Sequence, residues 1–236
     1  MPLPADIQQR FSEITRRIEE ACRRSGRRPE EVVLVGASKT QPAAVLAEAW
    51  RAGLRVFGEN RVQEAVAKSR ELTTHDVGTI EWHLIGPLQS NKVKPALDLF
   101  RTVHSIDRPR VAEALDQEAG RRGLKISGLL EINLGNEESK HGFSPDGLAE
   151  AVRPLATLEH LKIVGLMAIP PQADDPASSR PWFRKLRELR DEIGWPGFPG
   201  WLSMGMSHDF EVAVEEGATH VRVGTSLFGQ RPKGPM

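Results

Sequence analysis

The sequence predicts an α/β fold, a closed (β/α)8 barrel with an extra N-terminal helix. Three observations predict it. Eight short apolar runs recur along 236 residues. A helix-like segment separates each neighbouring pair of runs, the pattern of parallel strands joined by crossover helices. The residues suited to chemistry follow the runs, where such barrels carry their active face. The alternative arrangement of the same elements is an open doubly wound sheet, because periodicity does not report closure.

The elements follow in order. A first helix spans 5–25. Strands are expected at 32–38, 55–58, 81–86 and 102–106 in the first half, and at 128–134, 163–169, 202–205 and 220–224 in the second. Helices are expected at 43–51, 61–71, 91–99 and 108–122, then at 144–155, 177–192 and 209–216. No composition break divides the chain, so residues 1–236 read as a single domain. The Pro-, Asp- and Ser-rich stretch IPPQADDPASSRP at 169–181 reads as a long loop of the active face.

Composition excludes several classes. Thirty-two basic residues balance thirty-two acidic ones, which argues against nucleic-acid or membrane-surface partners. Arg16, Arg17, Arg23, Arg24, Arg27 and Arg28 interleave with glutamates and read as a solvated helix face. The one cysteine, Cys22, allows no intramolecular disulfide. No run approaches the roughly 20 apolar residues of a membrane span, and the expected location is the cytoplasm.

The stretch VVLVGASKTQP carries the first candidate. Lys39 follows a buried strand on the expected active face. A lysine there can anchor a phosphate, or form a Schiff base once its amine is free. Across the mouth, Ser203, Gly205, Ser207, Gly224, Thr225 and Ser226 follow the last two strands. Small residues let backbone N–H groups approach an anion, and barrels of this class often bind phosphate there. Arg222 alternates with Val221 and Val223, so either the arginine or the valines face the interior. A buried arginine needs a partner, either an ion pair or a ring-nitrogen acceptor. An imine-forming lysine, a phosphate nest and a cation for a ring nitrogen together suit pyridoxal 5′-phosphate.

Longer motifs then carry a resemblance. They are SKTQP at 38–42, FGEN at 57–60, WHLIGPLQSNK at 82–92, HSID at 104–107, EESKHGF at 137–143, LSMGMSHD at 202–209 and VRVGTSLFGQR at 221–231. The chain resembles the pyridoxal phosphate homeostasis protein family over nearly its whole length. The resemblance implies a fold-type III barrel like the N-terminal domain of alanine racemase, without a second β-domain. It implies that Lys39 carries the cofactor as an aldimine and Arg222 faces the pyridine nitrogen. It further implies that Ser203, Met204, Gly224 and Thr225 hold the phosphate, with Asn60 beside the cofactor. Two positions depart from the family pattern: Arg61 stands where an aromatic residue is common, and GASKT stands where AVSKT is common.

Two functions remain on these residues. One is a non-catalytic carrier that buffers the cofactor, with apo-enzymes as recipients and a monomeric state. The other is an amino-acid racemase. An arginine at the pyridine nitrogen weakens the ring as an electron sink, and the chain has no tyrosine to serve as an opposing acid/base group. Both points favour the carrier. A metal-dependent hydrolase using His83, His104 or His141 is disfavoured, because the histidines lack HxH or HExxH spacing. Lys92 and Lys140 are competing amines on the active face.

Overall fold

In the computed structural model, residues 4–135, 141–171 and 174–229 are described. Lys140, most of the EESKHGF motif and the end of VRVGTSLFGQR lie outside the described residues.

Eight parallel strands close in sequence order. They are β1 Val33–Ala37, β2 Val56–Glu59, β3 Glu81–Leu84, β4 Thr102–Ile106, β5 Ile126–Glu131, β6 Leu161–Met167, β7 Trp201–Ser203 and β8 His220–Val223. Closure is explicit in the pairing of β1 with β8, where Val33 sits opposite His220 and Val35 opposite Arg222. The open-sheet alternative is thereby excluded.

The helices are α1 Pro4–Arg24, α2 Ala43–Arg51, α3 Val62–Leu72, α4 Val93–Ala96, α5 Pro109–Arg121, α6 Leu148–Val152, α7 Arg180–Ile193, α8 Phe210–Glu215 and α9 Thr225–Phe228. Where these depart from expectation, proline and glycine explain most of it. The helix expected at 91–99 becomes a 3-10 turn, Ser90–Lys92, and the single turn of α4 around Pro95. Proline cannot donate the N–H that a longer helix needs. The helix expected at 144–155 begins only after Gly147, at φ 68°, and passes at Pro154 into the 3-10 segment Arg153–Thr157. The short α9 was not expected.

The arginine-rich face of α1 is only partly solvated, a correction to the sequence reading. Arg16 pairs with Glu13 and Glu20 on its own helix. Arg17 instead pairs with Glu211 and lies over the Phe210 ring, 4.6 Å from its centroid. Arg24 pairs with Glu215, and Arg27 donates to the carbonyls of Val214 and Ala218. These contacts fasten α1 to α8, directly behind the loop after β7. Among the described residues, no helix is long and apolar enough to cross a membrane.

Most of the core lies between the strands and the outer helices, with Phe57, Leu84, Leu202, Val221 and Val223 fully buried there. Inside the barrel the filling is mixed. Val35, Val56 and Ile85 pack on one side, and Leu129, Val164 and Met167 on another. Between these apolar groups runs a polar column of His83, His104, Ser203 and Arg222, all buried. Ordinary barrel interiors are dominated by branched aliphatic side chains, and the column departs from that pattern.

Candidate functional site

The site occupies the mouth at the C-terminal ends of the strands. On the β1–β2 side, the chain leaves β1 through Ser38, Lys39 and Thr40. Ser38 is buried, Lys39 half-buried and Thr40 exposed. Thr40 adopts φ 65°, a left-handed conformation that a β-branched residue rarely takes. Its N–H donates to Glu64 Oε1 at 2.6 Å, which holds the turn.

Behind this turn lies a lysine that the sequence reading missed. Lys68 Nζ donates to Ser38 O (2.8 Å), Glu59 Oε1 (2.7 Å) and Glu64 Oε1 (2.6 Å). Ser38 Oγ also donates to Glu59 Oε1, at 2.7 Å. Burial pushes the Glu59 carboxyl up, against the pull of Lys68 and Ser38. Burial also acts on Glu64, but Lys68 and the Thr40 N–H hold it below its ordinary value. The only sequence signal was the i, i+4 spacing of Glu64 and Lys68, which by itself reads as a surface helix pair. The two lysines thus differ in kind. Lys68 is saturated with acceptors, whereas among the described residues no carboxylate pairs with Lys39.

Asn60 follows β2 and is half-buried. The loop after β3 passes close beneath it: a Cβ on Gly86 would sit 2.6 Å from Asn60 Cα. Glycine is required for that approach, and it fixes the height of Asn60 at the rim. Lys92 and Arg61 line a neighbouring cavity with Asp107, Arg108 and His141.

The opposite rim is built differently. Gly205 turns the chain at φ 88°, and a Cβ there would lie 2.5 Å from Ala213 Cβ. Asp209 Oδ1 accepts the Met206 N–H at 2.8 Å and pins the turn. The N–H groups of Gly224 and Ser226 both point at Ser207 Oγ, at 3.3 and 3.2 Å. Two N–H donors of the segment after β8 therefore converge on one hydroxyl oxygen of the loop after β7. Thr225, between them, is exposed.

Ser203 and Met204 lie deeper. Ser203 Oγ accepts from Arg222 Nη1 at 2.6 Å and contacts His104 Nδ1 at 2.7 Å. The Met204 N–H is used in the β7–β8 seam, donating to His220 O at 3.1 Å. Of the two N–H groups directed at Ser207 Oγ, that of Gly224 belongs to the set the resemblance implies, and that of Ser226 to the small-residue turn that follows β8.

Arg222 faces the interior, and Val221 and Val223 face the helices. Its Nη2 donates to Ala168 O at 3.0 Å. With the bond to Ser203, two of its five N–H groups are used. Among the described residues no carboxylate forms an ion pair with it. Burial lowers the guanidinium to about 10, and the fields of Glu131 and Asp209 oppose that. Such a cation, spared a direct counter-ion, has donors left for a ligand atom.

His83 and His104 bind each other, at 2.9 Å, and His141 is exposed. Among the described residues no cluster of histidine, cysteine or carboxylate side chains could hold a metal ion.

A family profile described as "Alanine racemase, N-terminal domain" matches residues 11–232. A pyridoxal phosphate homeostasis protein of Aquifex aeolicus is 47% identical, covering 94% of this chain and 97% of its own. The structure of PipY from Synechococcus elongatus with PLP bound superposes with a TM-score of 0.79 at 40% identity, over 94% of this chain and 100% of that one. Alanine racemase of Clostridium difficile shares the barrel, with a TM-score of 0.69 at 16% identity, over 98% of this chain but 58% of its own. The barrel thus meets the larger enzyme only at the level of fold, while with the first two it shares sequence from end to end: the chain belongs to the pyridoxal phosphate homeostasis protein family.

Proposed function

We propose that this protein binds pyridoxal 5′-phosphate through Lys39 and carries it, holding the cofactor reversibly for apo-enzymes that need it. The observation that carries the reading is the division of labour across the mouth. A lysine with no ion-pair partner among the described residues stands on a pinned turn at one rim, two N–H donors converge on the Ser207 hydroxyl at the other, and a buried arginine with spare donors lies below. The residues fit the three chemical parts of the ligand: aldehyde, phosphate and ring nitrogen. PipY, 40% identical, was solved with PLP bound, which supports the same ligand here.

When bound, the cofactor supplies an aldehyde that exchanges between amines and a ring that withdraws electrons. Lys39 provides the amine that retains it. Gly224 and Ser226 offer backbone N–H groups to the phosphate, with Thr225 and Ser207 adding hydroxyls. Arg222 keeps a cation at the ring nitrogen, which opposes protonation there. Asn60 borders the ring. Ser203 and Met204 act from beneath, Ser203 by orienting Arg222 and Met204 by holding the seam.

Carriage is favoured over racemisation by the same residues. The cation at the ring nitrogen withholds the assistance that carbanion chemistry needs, and no tyrosine exists in the chain to serve as a second acid/base group. Borohydride reduction of the loaded protein followed by peptide mapping is expected to mark Lys39. A mark chiefly on Lys92 or Lys140 overturns the assignment. Incubation with single L-amino acids is expected to leave their chirality unchanged over many cofactor equivalents; sustained turnover would establish the racemase instead.

A further inference from the structure

The polar column does not end at Ser203. His104 Nε2 lies 2.9 Å from His83 Nδ1, and His83 Nε2 lies 2.8 Å from Glu81 Oε1. With the 2.6 Å and 2.7 Å bonds already described, a continuous chain runs Arg222, Ser203, His104, His83, Glu81. It crosses the barrel through β8, β7, β4 and β3. Arg222, Ser203, His104 and His83 are buried, but the Glu81 side chain is 62% exposed at the opposite mouth. There it lines a cavity of about 690 Å³ with His83, Trp201 and His220.

Proton positions along a histidine chain are ordinarily ambiguous. Here both ends are fixed. Arginine has no acceptor, so Arg222 can only donate to Ser203 Oγ. Among the described residues Ser203 Oγ has hydrogen-bond partners only in Arg222 and His104, so its own proton, which would otherwise be buried without an acceptor, goes to His104 Nδ1. That places the His104 proton on Nε2, aimed at His83 Nδ1. The His83 proton lies in turn on Nε2, aimed at Glu81. An ionised carboxylate can only accept. The two ends therefore demand the same direction, and both histidines are neutral Nε2–H tautomers. A charge on His83 would set two donors head to head between the rings, and a charge on His104 would set its Nδ1–H against the Ser203 hydroxyl proton. The groups facing the pair agree: His220 packs 5.9 Å from the His83 ring and 5.5 Å from the His104 ring, and Arg222 is a cation. Burial and these neighbours hold His104 well below its ordinary value.

We propose that Glu81 is a positioning residue for the cofactor site, acting from the far mouth: its carboxylate fixes the direction of the chain, so that Ser203 Oγ remains an acceptor and holds the Arg222 guanidinium toward the ring. The inference rests on the reading that Arg222 faces the cofactor. It converts an exposed glutamate, remote from every ligand-contacting group, into part of the binding machinery.

Histidine ring nitrogens observed by ¹⁵N NMR in the cofactor-free protein test the chain directly. Both His83 and His104 are expected as Nε2–H tautomers; an Nδ1–H tautomer at His104 overturns the proposal. Glu81→Lys places a donor where an acceptor is required, at an exposed position that leaves the fold intact. It is expected to mix the His83 tautomers and to weaken pyridoxal phosphate binding by about three- to tenfold, with a shifted absorbance of the bound cofactor. Glu81→Gln, which can still accept, is expected to recover most of that loss. If Glu81→Lys leaves affinity and absorbance unchanged while Arg222→Lys alters both, the chain does not reach the cofactor and the proposal fails alone. If Arg222→Lys also changes neither, the placement of Arg222 at the ring fails, and the proposal falls with it.

Discussion

The two rims of the mouth solve opposite problems. The β1–β2 rim is held by charge: Lys68, Glu59 and Glu64 converge beneath the turn that carries Lys39. The β7–β8 rim is held by backbone: Gly205, the Asp209 cap and the Gly224 and Ser226 N–H groups. The difference follows from what each rim presents. A lysine that must stay available cannot sit beside a free carboxylate, so the carboxylates near it are occupied by a second lysine. On the proposed reading an anion would replace the Ser207 hydroxyl as acceptor of the Gly224 and Ser226 N–H groups, at a rim where glycine and serine leave little side chain in the way.

Removing one residue from each rim separates the roles. The largest effect is expected from Lys39→Ala, which removes the only amine the reading assigns to the aldehyde. Borohydride labelling should disappear while the thermal transition stays near that of the parent protein. Persistent stoichiometric label would place the amine elsewhere. Next is Lys68→Met. It leaves Glu59 buried beside a half-satisfied Ser38, with Glu59 Oε2 already without a partner. Breaking a buried pair in this way costs about 3–5 kcal/mol, read by urea denaturation. The double variant Lys68→Met with Glu59→Gln should recover a large part of the loss. No recovery would mean that Lys68 acts through packing rather than charge.

The contrast between rims also explains what the sequence could show. The eight strands were legible because apolar runs and crossover helices repeat, and β4 at Thr102–Ile106 and α2 at Ala43–Arg51 fall where expected. Lys39 was legible because a lysine ending an apolar strand is unusual, and the serine–glycine turns because small residues cluster after the last strands. The inward direction of Arg222 was not, since alternation alone permits both faces; barrel closure decides it. Lys68 was invisible because its burial comes from β1 and β2 packing over α3, contacts roughly 9 and 30 residues away along the chain. The Glu81 chain was equally hidden. It joins residues from four strands, and no local pattern encodes it.

The backbone rim is tested by Gly205→Ala. The position has φ 88°, and the added Cβ would meet Ala213 Cβ and lie 3.0 Å from Phe210 Cα. Left-handed strain and the clash together cost about 3 kcal/mol. Phosphate-containing pyridoxal should lose affinity in this variant more than phosphate-free pyridoxal does. Equal losses would show that the turn supports the fold and not the anion.

The smallest effect is set by pH, and here the rims should respond with opposite signs. The His220 side chain lies toward the opposite mouth, but its carbonyl accepts the Met204 N–H in the β7–β8 seam and ties that seam to its titration. Burial lowers its imidazole to about 3, with His83 adding to the shift. Between about 6.5 and 3 the unfolded chain therefore binds a proton that the folded chain refuses, so stability falls as pH falls, by about 1.4 kcal/mol per pH unit for this group. Glu59, on the β1–β2 side, is shifted upward by burial. For it the folded chain retains the proton longer as pH rises, so acid stabilises it. Hydrogen exchange at about pH 7 and pH 5 separates the two. The amides of Met204 and Arg222, bonded across the β7–β8 seam, should lose protection on acidification. Those of Ser38 and Ile85, bonded to Gly58 and Glu59, should hold or gain it. Uniform loss at both rims would mean that the barrel opens as one cooperative unit, and that the difference in construction has no counterpart in local stability.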